Sequence, residues 1–257
     1  MKILKMAVYR ILYWLVRLFY PKLEVVGLEN LPVQPCVIVS NHAQMNGPIG
    51  CVLYFPGKRY IWCAQEMMHM KQVPAYAYQD FRSRKPKAVR PLYKLLSYLI
   101  APLSDCVFNS ADTIAVYRDK RILQTFGETT KKLCEGANVI IFPEHDAPHN
   151  HIVCDFQDGF VRVAKDYHRQ TGKSLAFVPM YLTPALRKIV LGKPISFDPE
   201  APGKEERRRV SGALMDAITE IAVSLPRHRV VPYCNIPKKD YPFNIPEDRI
   251  SHEKTCC

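Results

Sequence analysis

The stretch that most constrains this chain is Asn138-Val139-Ile140-Ile141-Phe142, an uncharged run rich in β-branched residues. A run this short and apolar reads as a strand buried on both faces. Val37-Ile38-Val39 has the same character, and Leu23–Val26, Arg59–Cys63, Thr113–Tyr117, Leu175–Tyr181 and Ile189–Leu191 read as further strands. Helical patterns lie between them. One runs from Pro48 to about Tyr54, with Ile49, Val52 and Leu53 as its apolar side; another runs from Leu123 to Leu133 and is closed by Glu135-Gly136. Phe156–Tyr167 is a third, and residues 205–225 carry Val210, Leu214, Ala217, Ile218, Ile221 and Leu225 on one stripe. Residues 64–81 look less regular, with Pro74 as a breaker. Strands that alternate with helices predict an α/β fold with a mostly parallel central sheet flanked by helices.

With 257 residues, 48% of them hydrophobic, the chain has enough material for one sizeable core. Residues 1–22 read as a separate amphipathic helix, 23–231 as the main domain, and the Pro-rich, polar 232–257 as a loosely ordered tail. In the first segment Lys2, Lys5, Arg10 and Arg17 fall on one arc of the helical wheel, no acid precedes Glu24, and Tyr9, Tyr13, Trp14, Phe19 and Tyr20 supply aromatics. The longest apolar run, Ile11–Val16, is too short to span a bilayer. This is the pattern of a helix lying in a membrane interface, its cations toward anionic headgroups. A second membrane-facing element is suggested where Arg82, Arg84, Lys85, Lys87, Arg90 and Lys94 run into Leu92–Ile100. The nine cysteines contain no Cys-x-x-Cys, which fits reduced thiols in a cytosolic compartment better than a disulfide or zinc framework. A net charge of +12 calls for an anionic partner: nucleic acid, an anionic membrane or a phosphorylated substrate.

His42 follows the end of the 37–39 strand, at the strand-to-helix turn that leads to Pro48. In open α/β sheets ligands bind at the carboxyl ends of strands. A histidine there is suited to moving protons near neutral pH. Arg118 and Pro143-Glu144-His145 also stand at the ends of expected strands.

Taken together, Ser40-Asn41-His42, Ala115-Val116-Tyr117-Arg118-Asp119, Phe142-Pro143-Glu144 and Val178-Pro179, in that order, resemble the four motifs of the glycerolphosphate and lysophosphatidic acid acyltransferase family. The resemblance covers roughly residues 25–200. It implies a 1-acylglycerol-3-phosphate O-acyltransferase-like enzyme, peripheral on the cytoplasmic face of the membrane, that moves a fatty acyl group from a thioester to the hydroxyl of a lysophospholipid or related phosphorylated acceptor. In this reading His42 is the general base, and Tyr117, Arg118, Phe142, Pro143 and Glu144 bind substrate. Arg118 takes the phosphate and Glu144 orients the acceptor. Backbone N–H groups near 42–48 would meet the developing oxyanion. No cofactor is implied; acyl-CoA or acyl carrier protein is the donor substrate, and membrane lipids are the partners.

Two positions depart from the family pattern. The aspartate expected five residues after the histidine is Gly47, with Asn46 beside it. Asn46, or Asp146 from a neighbouring strand end, is the candidate replacement support for His42. After Phe142-Pro143-Glu144 the chain continues His145-Asp146-Ala147-Pro148, so one expected phosphate ligand is missing.

Other function classes are weaker. His145, Asp146, His149 and His151 invite a metal site, but Pro148 disfavours the helical turn that would bring the first and third together. Tyr76, Tyr78, Phe81 and Tyr93 near the basic run could stack on bases, yet no nucleic-acid recognition motif is visible, and nucleic acid is not the expected partner. A non-catalytic lipid- or membrane-binding descendant of the family is the alternative, argued from the loss at position 47.

Overall fold

The computed structural model describes residues 2–82 and 90–245. In chain order the elements are α1 (Lys2–Phe19), β1 (Glu24–Val26), β2 (Val37–Ser40), α2 (Asn46–Tyr54), β3 (Arg59–Ala64), α3 (Val73–Arg82), α4 (Arg90–Ser110), β4 (Thr113–Val116), α5 (Ile122–Cys134), β5 (Asn138–Ile141), β6 (Glu144–Pro148), β7 (Cys154–Phe156), α6 (Arg162–Thr171), β8 (Ala176–Thr183), β9 (Lys188–Leu191), β10 (Ile195–Ser196) and α7 (Gly203–Ser224). The fold is α/β, and most of its strand pairings are parallel. The chain forms two compact units, one of Met1–Tyr20 with Tyr60–Glu128, the other of Pro21–Arg59 with the chain from Thr129 onward. The N-terminal helix thus groups with the middle of the chain.

In the first unit β3 and β4 pair in parallel, with Trp62 opposite Ile114, and Trp62 stacks on Phe126 of α5 at 6.2 Å. Helices α1 and α3 both pack on α4. The Lys5 ammonium pairs with the Asp105 carboxylate, and the Cys106 thiol donates to the Lys5 carbonyl at 3.2 Å. Helix α4 is inside out. Ser97, Ala101 and Ser104 are its buried side, whereas Leu92, Leu95, Leu96, Leu99 and Leu103 are exposed, Leu99 at 64%. Spacings of three and four residues put those leucines on one face. On α1, Ile3, Leu4, Ile11, Trp14, Leu15 and Leu18 are likewise exposed and share roughly a third of the helical wheel. Among the described residues no helix is long and apolar enough to cross a membrane. Arg84, Lys85 and Lys87 of the basic run, and the side chain of Arg82, lie outside the described residues.

Residues 64–81 are more regular than their sequence suggests. Pro74 is the second residue of α3, where a missing N–H breaks no intrahelical bond, so it starts this helix instead of stopping it.

The second unit is built on a sheet in the order β1-β9-β8-β2-β5, with β10 pairing on β8. Strand β2 lies between β8 and β5, parallel to both, with Ile38 opposite Val178 and Ile140. All four of its residues are buried, which is why its sequence carries no polar alternation. Strand β9 returns antiparallel to β8 and runs parallel to β1. Helix α7 packs on β8 and buries Val210, Leu214, Ile218 and Ala222, a four-residue repeat.

The sequence reading differs from this unit in two places. Phe156–Tyr167 is not one helix: Cys154–Phe156 is a strand, Asp158–Val161 a 3-10 turn, and α6 begins at Arg162. Strand β7 pairs antiparallel with β6, a hairpin that the sequence did not announce. Residues 232–245 are not a loose tail either. Asn244 is fully buried, its amide oxygen accepting from the His228 N–H at 2.8 Å and its amide nitrogen donating to the carbonyls of Ala222 at 2.8 Å and Leu225 at 3.1 Å. Arg229 and Phe243 form an antiparallel bridge, and the Val230 N–H donates to the Pro242 carbonyl at 2.8 Å. Residues 246–257, with Cys256 and Cys257, lie outside the described residues.

Candidate active site

Strand β2 delivers His42, and Asn41 fixes where the strand stops. The Asn41 amide donates to the Leu182 carbonyl at 3.0 Å and accepts from the Leu182 N–H at 2.8 Å. One buried side chain thereby continues the β2–β8 ladder beyond the last backbone pair. The backbone then turns sharply. Ala43 and Gln44 sit at φ of 45° and 55°, the left-handed region that side chains with a Cβ rarely adopt. Asn46 and Gly47 close the turn, their N–H groups donating to the carbonyls of Ala43 and His42, both at 3.1 Å. Helix α2 follows at once, with Pro48 in its first turn.

The Phe142-Pro143-Glu144 segment runs from the end of β5, the parallel neighbour of β2, into β6. Glu144 accepts the His42 N–H at one carboxylate oxygen and the Cys154 N–H, at 2.9 Å, at the other. Glu144 is 6% exposed, and burial pushes its pKa up to about 7 against the pull of those two amides. The structure therefore brings His42 and Phe142–Glu144 together through one side chain, although a hundred residues of sequence separate them.

The His42 ring is half-buried. Phe142 faces it at 5.2 Å between centroids and Tyr233 meets it edge-on at 5.8 Å. Its Nδ1 lies 2.5 Å from the Gln44 carbonyl oxygen. A carbonyl only accepts, so Nδ1 carries a proton, and in the neutral ring Nε2 then keeps its lone pair. The Gln44 side chain donates to the Tyr241 hydroxyl at 3.1 Å.

The two candidate supports lie in different settings. Asn46 donates its side-chain amide to the Ala43 carbonyl at 3.0 Å. Asp146 is exposed on β6, and its Oδ1 accepts the Cys234 thiol at 3.1 Å. Gly47 has no room for a side chain: a Cβ there would overlap the His42 carbonyl oxygen and come within 2.8 Å of Phe142 Cε1. Of the N–H groups expected to meet an oxyanion, those of His42, Asn46 and Gly47 already have acceptors.

Tyr117 and Arg118 belong to the first unit, at the end of β4. Arg118 is exposed, with its guanidinium 5.7 Å from the centre of the Tyr76 ring and Nη2 3.5 Å from that hydroxyl. Its neighbours Asp119 and Arg121 form an exposed pair, and Arg121 stacks over Tyr117 at 4.5 Å.

The histidines of the 145–151 segment have separate partners: His145 with Asp155, His149 with Asp216, and His151 with the Asn244 carbonyl. Among the described residues no group of His, Cys, Asp and Glu is arranged to hold a metal ion. Gln44, Tyr233, Tyr241 and the Cys154 N–H escaped the sequence reading. Two of these contributions come from the backbone, which has no residue signature, and the tyrosines lie in the Pro-rich segment whose composition reads as a tail.

No protein-family model matches the sequence, and no curated protein matches it either. Among solved structures, the chain is similar to the crystal structure of the 1-acyl-sn-glycerophosphate (LPA) acyltransferase PlsC from Thermotoga maritima, at 16% identity and a TM-score of 0.43, over 86% of this chain and 79% of that one.

Proposed function

We propose that this chain is a peripheral membrane acyltransferase that moves a fatty acyl group from acyl-CoA or acyl carrier protein to the hydroxyl of a lysophospholipid or related phosphorylated acceptor. The observation that carries the reading is the Glu144 carboxylate holding the His42 backbone, which unites two of the four sequence motifs in one site. His42 Nε2 takes the acceptor's hydroxyl proton as the oxygen attacks the thioester carbonyl. The carbon–sulfur bond then breaks, and the proton passes from Nε2 to the departing thiolate. Glu144, with both oxygens on backbone amides, holds the histidine loop and, as the resemblance implies, orients the acceptor. The resemblance assigns the acceptor's phosphate to Arg118, whose guanidinium suits a bidentate grip.

The membrane part of the reading rests on the exposed apolar faces of α1 and α4. A helix that buries Ser and Ala and exposes Leu is suited to an apolar surrounding, and the net charge of +12 favours anionic headgroups.

The test is transfer of labelled acyl groups from either donor to a panel of lyso-lipids with and without a free phosphate, presented in anionic liposomes. The proposal predicts acylated product with phosphorylated acceptors. Liposome binding without transfer to any acceptor would overturn it in favour of a lipid-binding descendant, the reading that a side-chain-free Gly47 favours.

A further inference from the structure

The resembled family uses a carboxylate to hold the catalytic imidazole, and here its position is a glycine without space for any side chain. We propose that the Gln44 carbonyl takes over that role, and that residues 228–244 are a fixed part of the site because Tyr241 holds Gln44 in place. The inference rests on the acyltransferase reading for its catalytic meaning, though not for its geometry.

The carbonyl reaches Nδ1 only because the backbone passes through two consecutive left-handed residues, Ala43 and Gln44. Such residues persist only where their surroundings over-determine them. Four restraints do so here. The Ala43 carbonyl accepts twice from Asn46, once from the backbone and once from the side chain. The His42 carbonyl accepts from Gly47, at the glycine where a Cβ would collide with it. The His42 N–H is held by Glu144. The fourth is the Gln44 side chain, which donates to Tyr241.

Tyr241 is itself secured. It lies in a loop with both ends tied, a short excursion of the Ω type. The ties are the Val230–Pro242 hydrogen bond, the Arg229–Phe243 bridge and the buried Asn244. Arg227 and Arg229 also stack on the Phe243 ring at 3.7 and 4.8 Å. The same loop carries Tyr233 to the imidazole. Ring orientation, tautomer and the wall beside the ring thus all depend on the segment after Pro226. Gln44 and Tyr241 are positioning residues, acting through His42. A neutral carbonyl fixes the tautomer as a carboxylate does, but stabilises the imidazolium less.

The test reads the tautomer directly. Protein labelled with 15N at histidine is examined by long-range 1H–15N correlation at a pH where the imidazole is neutral, with the His42 signals assigned from His42→Gln. Wild type is expected to show a protonated Nδ1 and a bare Nε2. Tyr241→Phe keeps the ring and removes only the hydroxyl acceptor. It is expected to give a mixture of tautomers and to lower kcat roughly five- to tenfold, one neutral hydrogen bond's worth, with little change in KM. Gln44→Met, which removes the side-chain donor to Tyr241 at similar length and keeps the backbone carbonyl, is expected to do the same. A wild-type Nε2 that carries the proton would overturn the proposal. So would Tyr241→Phe and Gln44→Met proteins with wild-type tautomer and wild-type kcat. The spectrum needs no turnover, so wild-type protein with the expected tautomer but no acyl transfer would defeat the enzymatic reading and leave this one standing.

Discussion

Replacing Glu144 with Gln gives the sharpest view of how the histidine loop is held. The wild-type carboxyl accepts N–H groups from both His42 and Cys154. A glutamine offers one oxygen and one NH2, so one of those buried amides meets a donor and loses its acceptor, at a cost of about 1–3 kcal/mol that does not vary with pH. A second contribution does vary. Burial raises the native carboxyl from its ordinary 4.5 up to about 7. Between those values the native state holds a proton that the unfolded chain has lost, so wild-type stability falls as pH rises through the window and levels off above it. The shift corresponds to about 3 kcal/mol across the window. Glutamine does not titrate and lacks this decline. Urea denaturation of both proteins at pH 5, 7 and 9 should therefore show the wild type ahead at pH 5, by at most the lost hydrogen bond, and the variant gaining about 3 kcal/mol on it by pH 9. Parallel stability profiles for the two proteins would refute a buried carboxyl that ionises near neutrality.

Introducing the aspartate of the resembled family should fail: Gly47→Asp is expected to lower stability by more than about 2 kcal/mol through overlap with the His42 carbonyl and Phe142, and to leave acyl transfer below wild type, as a melt and a transfer assay would show. Charging the outward face of α4 by Leu95→Glu with Leu99→Glu should reduce co-sedimentation with anionic liposomes at least tenfold without lowering the melting midpoint, because both side chains are exposed; unchanged sedimentation would contradict the assigned face.

The sequence was most legible where burial is uniform. Val37–Val39 and Val139–Ile141 are covered on both faces, so their β-branched runs have no polar interruptions and mark the strand ends that carry His42 and Glu144. It was least legible where the backbone or a single polar side chain does the work. His145-Asp146-Ala147-Pro148 has none of the usual strand formers, yet it lies in a hairpin whose first residue is held by Glu144's contact with the Cys154 N–H. The Pro-rich stretch after residue 231 has the composition of a loose tail, and the amide hydrogen bonds of one buried asparagine, Asn244, tie it to the domain. The Nδ1 partner of His42 is a peptide carbonyl, which any residue type supplies, so residue types alone point to side chains such as Asn46 and Asp146 instead.

The central claim is that His42 is the base for acyl transfer, and His42→Ala tests it most directly. The initial rate of acylation of the best phosphorylated acceptor is measured for wild type and variant, with matching circular dichroism and matching liposome binding required of both. The account predicts a rate lower by about a hundredfold or more in the variant, the usual contribution of a general base. A variant that folds, binds liposomes and transfers acyl groups at the wild-type rate would contradict it.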